Sequence, residues 1–428
     1  LFVKTNKKAK NELGKVFHYD LFGKRNDKYN FLNQNSIKTI DYKELPNKAP
    51  MYFMVNKDFD AEEKYNDGFS IVDLFPLNNV GIVTARDAFT IHSTKDDVKN
   101  TIEEFLSLDD ESARRRFNLG KDVRDWQVNF AKKDLNDNYP NKGKFLNISY
   151  RPFDNRWTYY TGKSKGFHCY PRFDTMKHFL NKYNFCLSLE KIMMNKNESY
   201  KDCFITKYII DSHFIGSATY SFPLYLYQEP TAFDERERIP NFNPKILAEI
   251  EAKLGMKCVD DENFGKENFS KENFGKENFG KENFGKENFG KVLNFAEVEN
   301  TPKAESKKTN FSPLHLLDYI YAVLHSPKYR ETYKEFLKID FPRVPFPDAV
   351  GTSRDLSTIQ KNFWNLVQLG SEIRKLHLLE EIANKDLQTK YPIAGNNVVA
   401  KPTFVTTENF SKENFGKENF SKENFGKV

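Results

Sequence analysis

Apolar positions along this chain recur at two periods, two and about 3.6 residues, and the switches between them mark its predicted elements. LFVKT and KVFHYDLFG read as two strands, and the polar turn NKKAKNELG between them makes a hairpin the expected arrangement. DKYNFLNQN and the extended APMYFMVNK follow. NNVGIVTARDAFTIH alternates around a central strand over residues 80–83 and ends in the polar pair Arg86 and Asp87. The period then lengthens. Thr94 and Asp97 have the spacing of a capping box, for a helix whose apolar face is Val98, Ile102, Phe105 and Leu106. Residues 114–133 are basic and helical in part. FLNISY is a strand, and Asp174 is placed to cap a helix with Met176, Phe179, Leu180 and Tyr183 on one face. CLSLE, CFITKYIID and TYSFPLYLYQ are strand-like, with Pro223 pointing to an edge or a bulge. PKILAEIEAKLG has Pro244 at its first helical position and Gly255 just past its end, the asymmetry helices favour.

A helical part follows. Ser312 and Pro313 start a helix carrying Leu317, Ile320 and Leu324, and PKYRETYKEFLK comes after a short break. The prolines of DFPRVPFPD keep it stiff and extended. A longer helix bears Ile359, Phe363, Leu366, Ile373 and Leu376, and Gly370 interrupts its face in a way that admits a close helix contact. On either side of this part lie ENFGK and ENFSK repeats, over residues 262–291 and 408–427. A period of five matches neither helix nor strand, and each unit is charge-neutral with Gly or Ser in its fourth place. Solenoid repeats are usually at least about twenty residues long, so the tracts read as disordered rather than stacked.

At 428 residues the chain can hold two or three domains, and 39% hydrophobic with 15% aromatic residues is a globular composition. No apolar run reaches membrane-spanning length, there is no signal-peptide pattern, and Cys169, Cys186, Cys203 and Cys258 show no paired spacing. Reduced cysteines in a cytoplasmic protein are expected. The chain begins at Leu1 inside an apolar run, which reads as the C-terminal piece of something longer.

Charge changes the picture in one place. Residues 111–174 hold fourteen Lys and Arg against seven Asp and Glu, an excess of +7 beside +6 for the whole chain. Inside that stretch, YRPFDNRWTYYTGKSKGFHCYPRFDTMKHFL interleaves cations with aromatic rings. Cations neutralise phosphates, π-faces stack on bases, and an arginine fork fits the O6 and N7 of guanine. The candidate contacts are Arg151, Arg156, Lys163, Lys165 and Arg172, with Tyr159 and Tyr170 as stacking or wedge residues and Arg86 beside them. The plainer alternative is a strand pair with aromatics in the core and cations in solvent, Arg156 and Asp154 forming a salt bridge in the PFDNR turn.

Catalytic and metal-binding patterns are missing. GKSKG at Gly162 has Trp157 where a phosphate-binding loop needs its first glycine, and no Asp/Asn/Ser-Pro-Pro-aromatic tetrapeptide occurs to hold a flipped base. Asp58, Asp60, Glu62 and Lys64 crowd into what reads as one polar loop. His168 and His178 lie near the basic stretch without a third ligand, and His315, His325 and His377 read as packing or surface residues. No catalytic residue and no metal ligand is assigned.

VGIVTARDAF, the YRPFDNRW segment, FPLYLY, LDYIYAVLHSPKYRETYKEFLKIDFPRVPFP and LGSEIRKLHLLE together resemble the C-terminal specificity region of type ISP and type IIG-like restriction–modification enzymes. LFVKT through KVFHYDLFGKRNDKY looks like the last strands of the adenine methyltransferase domain before it. The resemblance covers nearly all of the chain outside the repeats. It implies an α+β fold: a methyltransferase-sheet remnant over 1–56, a mixed-sheet target-recognition domain over 57–257, the repeat insertion over 258–310, a helical part over 311–400 and the repeat tail over 401–428. It also implies recognition of double-stranded DNA, with the methyltransferase and nuclease domains upstream in the same polypeptide. No cofactor is implied for this chain, whereas S-adenosylmethionine, ATP and Mg are implied for the parent enzyme. The alternative is an inactive fragment or interaction module from a split or frameshifted gene.

Overall fold

Helices and several small sheets share the chain, an α+β architecture that matches its two apolar periods. The computed structural model describes residues 3, 9, 12–49, 52–192, 200–228, 237–261, 310–350 and 355–380. All belong to the unit Leu1–Glu381, and both repeat tracts and all of LFVKT but Val3 lie outside them. Among the described residues no helix is long and apolar enough to cross a membrane.

A four-stranded antiparallel sheet runs in the order Asn79–Val80, Thr219–Pro223, Cys186–Glu190, Cys203–Thr206. All five residues of CLSLE are buried, so both faces of this strand are covered. A three-stranded sheet places Lys144–Arg151 between Asp154–Tyr160, antiparallel, and Ile209–Ile210, parallel. CFITKYIID therefore does not form one strand: its first half belongs to one sheet and its second half to the other. TYSFPLYLYQ also divides, at Pro223, which pairs with Cys186 beyond the reach of Asn79–Val80 and so needs no N–H on that side. Tyr225–Tyr227 pairs instead with Arg238–Pro240.

Several local signals hold. The Thr94 hydroxyl accepts from the Asp97 N–H at 3.1 Å, and helix Lys95–Ser107 buries Val98, Ile102 and Phe105. Helix Pro244–Leu254 starts at its proline and ends at Gly255, whose φ of +60° is the left-handed conformation that glycine adopts without a Cβ penalty. Others differ. Val16–His18 pairs with Lys43–Leu45, with helix Arg25–Gln34 between them in the chain, while its expected hairpin partner, Val3 apart, lies outside the described residues. Asp58 is not in a loop: it caps helix Phe59–Asn66, accepting from the N–H groups of Asp60 and Ala61. The helix expected after Asp174 is the single turn Phe173–Met176 followed by the 3-10 turn Lys177–Phe179, with Arg172 in the cap position.

The largest apolar cluster unites the four-stranded sheet, through Leu187, Leu189, Ile205 and Phe222, with two long helices. Helix Pro313–His325 is buried all round over residues 316–324, and Ser312 and His315 cap it reciprocally. Helix Leu356–His377 crosses it at Gly370, where an added Cβ would meet the Asp318 carbonyl oxygen at 1.8 Å. The backbones touch there, as the glycine suggests. Leu376 is off this face and 61% exposed. One turn below the crossing, Arg374 forks onto Asp318 at 2.7 and 3.1 Å, both side chains being buried. Burial pushes the Asp318 carboxyl up in spite of that partner.

Lys257–Cys258 pairs in parallel with Asn310–Phe311, and the Val259 N–H donates to the Phe311 carbonyl at 2.8 Å. The chain on either side of 262–309 thus meets in one place. Excising 262–291 is expected to leave the thermal midpoint within a few degrees, because the chain on either side already meets at this strand pair and halving the length of a connection changes its closure entropy by only about 0.6 kcal/mol. Scanning calorimetry of the shortened chain checks this, and a large fall in the midpoint would show that the excised residues pack.

Candidate functional site

The basic, aromatic stretch folds around the strand pair Lys144–Arg151 and Asp154–Tyr160. A turn with Phe153 in the left-handed region, φ +64°, joins the two strands. At the far end the second strand is covered on both faces. Tyr159 belongs to the apolar cluster of Phe105, Trp126 and Leu135, whereas Tyr160 belongs to that of Ile148 and Met176. Tyr159 has no exposed surface; its hydroxyl donates to the Asn138 carbonyl at 2.7 Å and accepts from the Gly143 N–H at 3.1 Å. It has no face to offer a base, so its expected stacking role is corrected to packing.

The loop that follows is held by a residue that no sequence pattern singled out. Asp134, buried on helix Val128–Asn138, accepts from the Thr161 hydroxyl and the Phe167 N–H, both at 2.8 Å, and from the Asn138 amide at 2.9 Å. An added Cβ on Gly166 would come within 2.1 Å of its carboxylate. Burial pushes the Asp134 carboxyl up, against these hydrogen bonds. The one available signal is an acid beside Leu135, on the face that also holds Val128 and Ala131. The loop carries Lys163, 3.4 Å from Asp137, and Lys165, 3.5 Å from Asp125, both substantially exposed.

Two tyrosines organise the arginines. Tyr150 lies between Arg151 and Arg156, whose guanidinium carbons are 3.9 and 4.3 Å from its ring centroid, and its hydroxyl donates to Asp87 at 3.2 Å. Arg151 reaches buried Asp211 at 2.8 Å. Arg156 forks onto Asp154 at 3.0 and 2.8 Å, the salt bridge that the plainer reading gives the PFDNR turn. Tyr170 is half-buried; its backbone bridges Val83 at 2.9 and 3.0 Å, and Arg172 lies 5.1 Å from its ring. Beside it Arg124 forks onto Asp125, whose carboxyl is held down at about 2, chiefly by that arginine and next by Tyr170. Arg86 is committed to the loop opposite, donating to the carbonyls of Leu119, Ala85 and Lys121 at 2.6, 2.7 and 3.1 Å over the face of Trp126.

In space the +7 excess is diluted. Arg114, Arg116, Arg124, Lys132, Arg151, Arg156, Lys163 and Lys165 each have a carboxylate partner, and Glu104, Asp110 and Asp211 come from outside 111–174. Among the described residues Arg115, Lys121, Lys133, Lys142, Lys144 and Arg172 have none. All but Arg172 are exposed. Exposed cations without a carboxylate partner are suited to polyanions, and among the described residues no group of three ligands for a metal occurs. His168 and His178 are buried, pushed down to about 4 by desolvation, with Nε2 of His168 2.9 Å from the Thr158 hydroxyl and Nδ1 of His178 accepting from the Tyr227 N–H. All four cysteines are free.

Residues 73–415 match the model of a family described as the type ISP C-terminal specificity domain. No curated protein matches the sequence. Among solved structures the chain is similar to a DrdV–DNA complex, at 18% identity and a TM-score of 0.49, covering 85% of this chain and 30% of that one. It is also similar to a nuclease-deletion mutant of the type ISP restriction–modification enzyme LlaGI with a DNA substrate mimic, at 16% identity and a TM-score of 0.48, covering 87% and 28%. A third is the ATP-dependent type ISP enzyme LlaBIII bound to DNA, at 16% identity and 0.44, covering 73% and 16%. The chain thus spans less than a third of the length of each.

Proposed function

The chain belongs to the type ISP C-terminal specificity domain family, and from that premise we propose that it reads sequence on double-stranded DNA for a restriction–modification enzyme. The family match over 73–415 carries this reading, and the partner-free cations support it. Lys121, Lys133, Lys142, Lys144 and Arg115, with the exposed loop lysines Lys163 and Lys165, contact phosphates and fix register. A smaller number of side chains meets base edges. Adenine methylation and DNA cleavage belong to domains outside this chain, which hold S-adenosylmethionine, ATP and Mg and act in the cytoplasm.

The full chain is expected to bind duplex DNA with an affinity that falls about a thousandfold between 50 and 200 mM salt, as for roughly six phosphate contacts. Titration at these two salt concentrations checks it, and salt-insensitive binding, or none, removes the reading. Calorimetry with S-adenosylmethionine is expected to give no saturable heat. Saturable binding would place a methyl-donor site within this chain.

A further inference from the structure

We infer that Arg172 is the arginine that reads a base edge, while Arg86, Arg151 and Arg156 hold the platform around it; the inference rests on the DNA-reading role proposed above. The other three are already engaged. Arg86 is spent on three backbone carbonyls, Arg151 on buried Asp211, and Arg156 on both oxygens of Asp154. For any of these to reach DNA, an existing charge-assisted bond must first break, and Asp211 would be left buried and unpaired. Arg172 has nothing to give up: among the described residues its guanidinium makes no hydrogen bond and no ion pair, and its Nε is buried without an acceptor.

Its position is fixed all the same. Two residues before it, Tyr170 is bonded through both backbone groups to Val83. The Pro171 carbonyl accepts from the buried Tyr160 hydroxyl at 2.9 Å. The Arg172 carbonyl itself accepts from the N–H groups of Thr175 and Met176 at 3.1 and 2.9 Å. Its backbone is left-handed, φ +55° and ψ +46°, a conformation that arginine adopts at a penalty and the surroundings enforce. Tyr170 lies against the guanidinium and Nε is buried, so the inner part of the side chain is immobilised before any ligand arrives. A pre-organised planar fork loses little entropy on binding. Two parallel N–H donors match the O6 and N7 of guanine in the major groove. A phosphate offers acceptors to the same donors, and the experiment distinguishes it from the base.

The full chain is offered a pool of duplexes with a randomised central stretch, and the bound fraction is sequenced for the parent, Arg172→Lys and Arg172→Gly. Glycine suits the left-handed backbone and lysine keeps the charge, so both variants are expected to retain the parent's thermal midpoint. The parent is expected to enrich a motif containing guanine. In both variants preference at one guanine should fall roughly 5- to 150-fold, with the remaining positions and the salt slope unchanged. An unaltered motif overturns the inference, as does a parental motif without guanine. Uniform weakening with a salt slope shallower by about one assigns Arg172 to a phosphate and also overturns it, and so does a collapse of the midpoint in both variants. If the parent enriches nothing and binds without salt dependence, the DNA-reading role itself fails, a result distinct from a parental motif that Arg172 does not influence.

Discussion

Gly370→Val is expected to destabilise the chain by at least about 3 kcal/mol, seen as a large fall in the urea or thermal midpoint. Any Cβ at this position would lie 1.8 Å from the Asp318 carbonyl oxygen and 3.1 Å from the Asp318 Cα, so no rotamer change relieves the clash. Helices Pro313–His325 and Leu356–His377 have to separate. Their separation reaches the ion pair one turn away, because Arg374 is fixed on one helix and Asp318 on the other. Stretching a buried pair until water cannot replace it leaves two uncompensated charges, and breaking such pairs typically costs about 3–5 kcal/mol. Leu369→Ala is the control: the side chain is 50% exposed, so a much smaller change is expected. Equal midpoints for the valine variant and the parent would show that the two backbones do not touch.

Between pH 6.5 and about 4 the chain is expected to lose stability steeply. Burial lowers His168 and His178 to about 4 and His325 to about 3, the last also opposed by the Arg330 guanidinium, which donates to its Nδ1 at 2.8 Å. The folded chain keeps these rings neutral through a range in which the unfolded chain protonates them. The unfolded state therefore binds more protons in that window. The stability these rings confer is complete above about 6.5 and is lost as pH falls toward the folded values, each ring contributing about 1.4 kcal/mol per pH unit inside the window. Asp134, Asp211 and Asp318 work the other way: their raised values mean the folded state takes up carboxyl protons first, which offsets part of the loss lower in the range. Urea midpoints at pH 7, 5.5 and 4.5 test this, and a flat profile would contradict the burial of the three rings. His325→Phe should lessen the slope.

The features legible in the sequence are those set by neighbours in the chain. Thr94 with Asp97, Pro244 with Gly255, and Ser312 with Pro313 each fix a helix end through atoms a few residues apart, and all three are where the pattern puts them. Gly370 was legible because a glycine inside an apolar helical face costs helix stability, a cost that close packing against a neighbour offsets. Features that failed depend on remote partners. Nothing in CFITKYIID says that its halves serve different sheets, since both are apolar and β-branched and the division is decided by Lys144–Arg151. Tyr159 and Tyr170 are the same residue type in the same basic stretch, yet helix Val128–Asn138 covers one and leaves the other half-exposed. The basic excess was visible as a count, but whether each cation is free is settled by acids such as Glu104 and Asp211 that lie far away in sequence.

The junction where Lys257–Cys258 lies beside Asn310–Phe311 has a practical consequence. A reporter domain whose own termini are adjacent, such as a fluorescent barrel, could be grafted between these two strands without stretching either. It would hang from an edge formed by two short strands, while the four-stranded sheet and the arginine platform are built from other parts of the chain. Such a fusion would carry the label inside the chain rather than on an end, so that a single-molecule assay of the proposed DNA reading leaves both termini free.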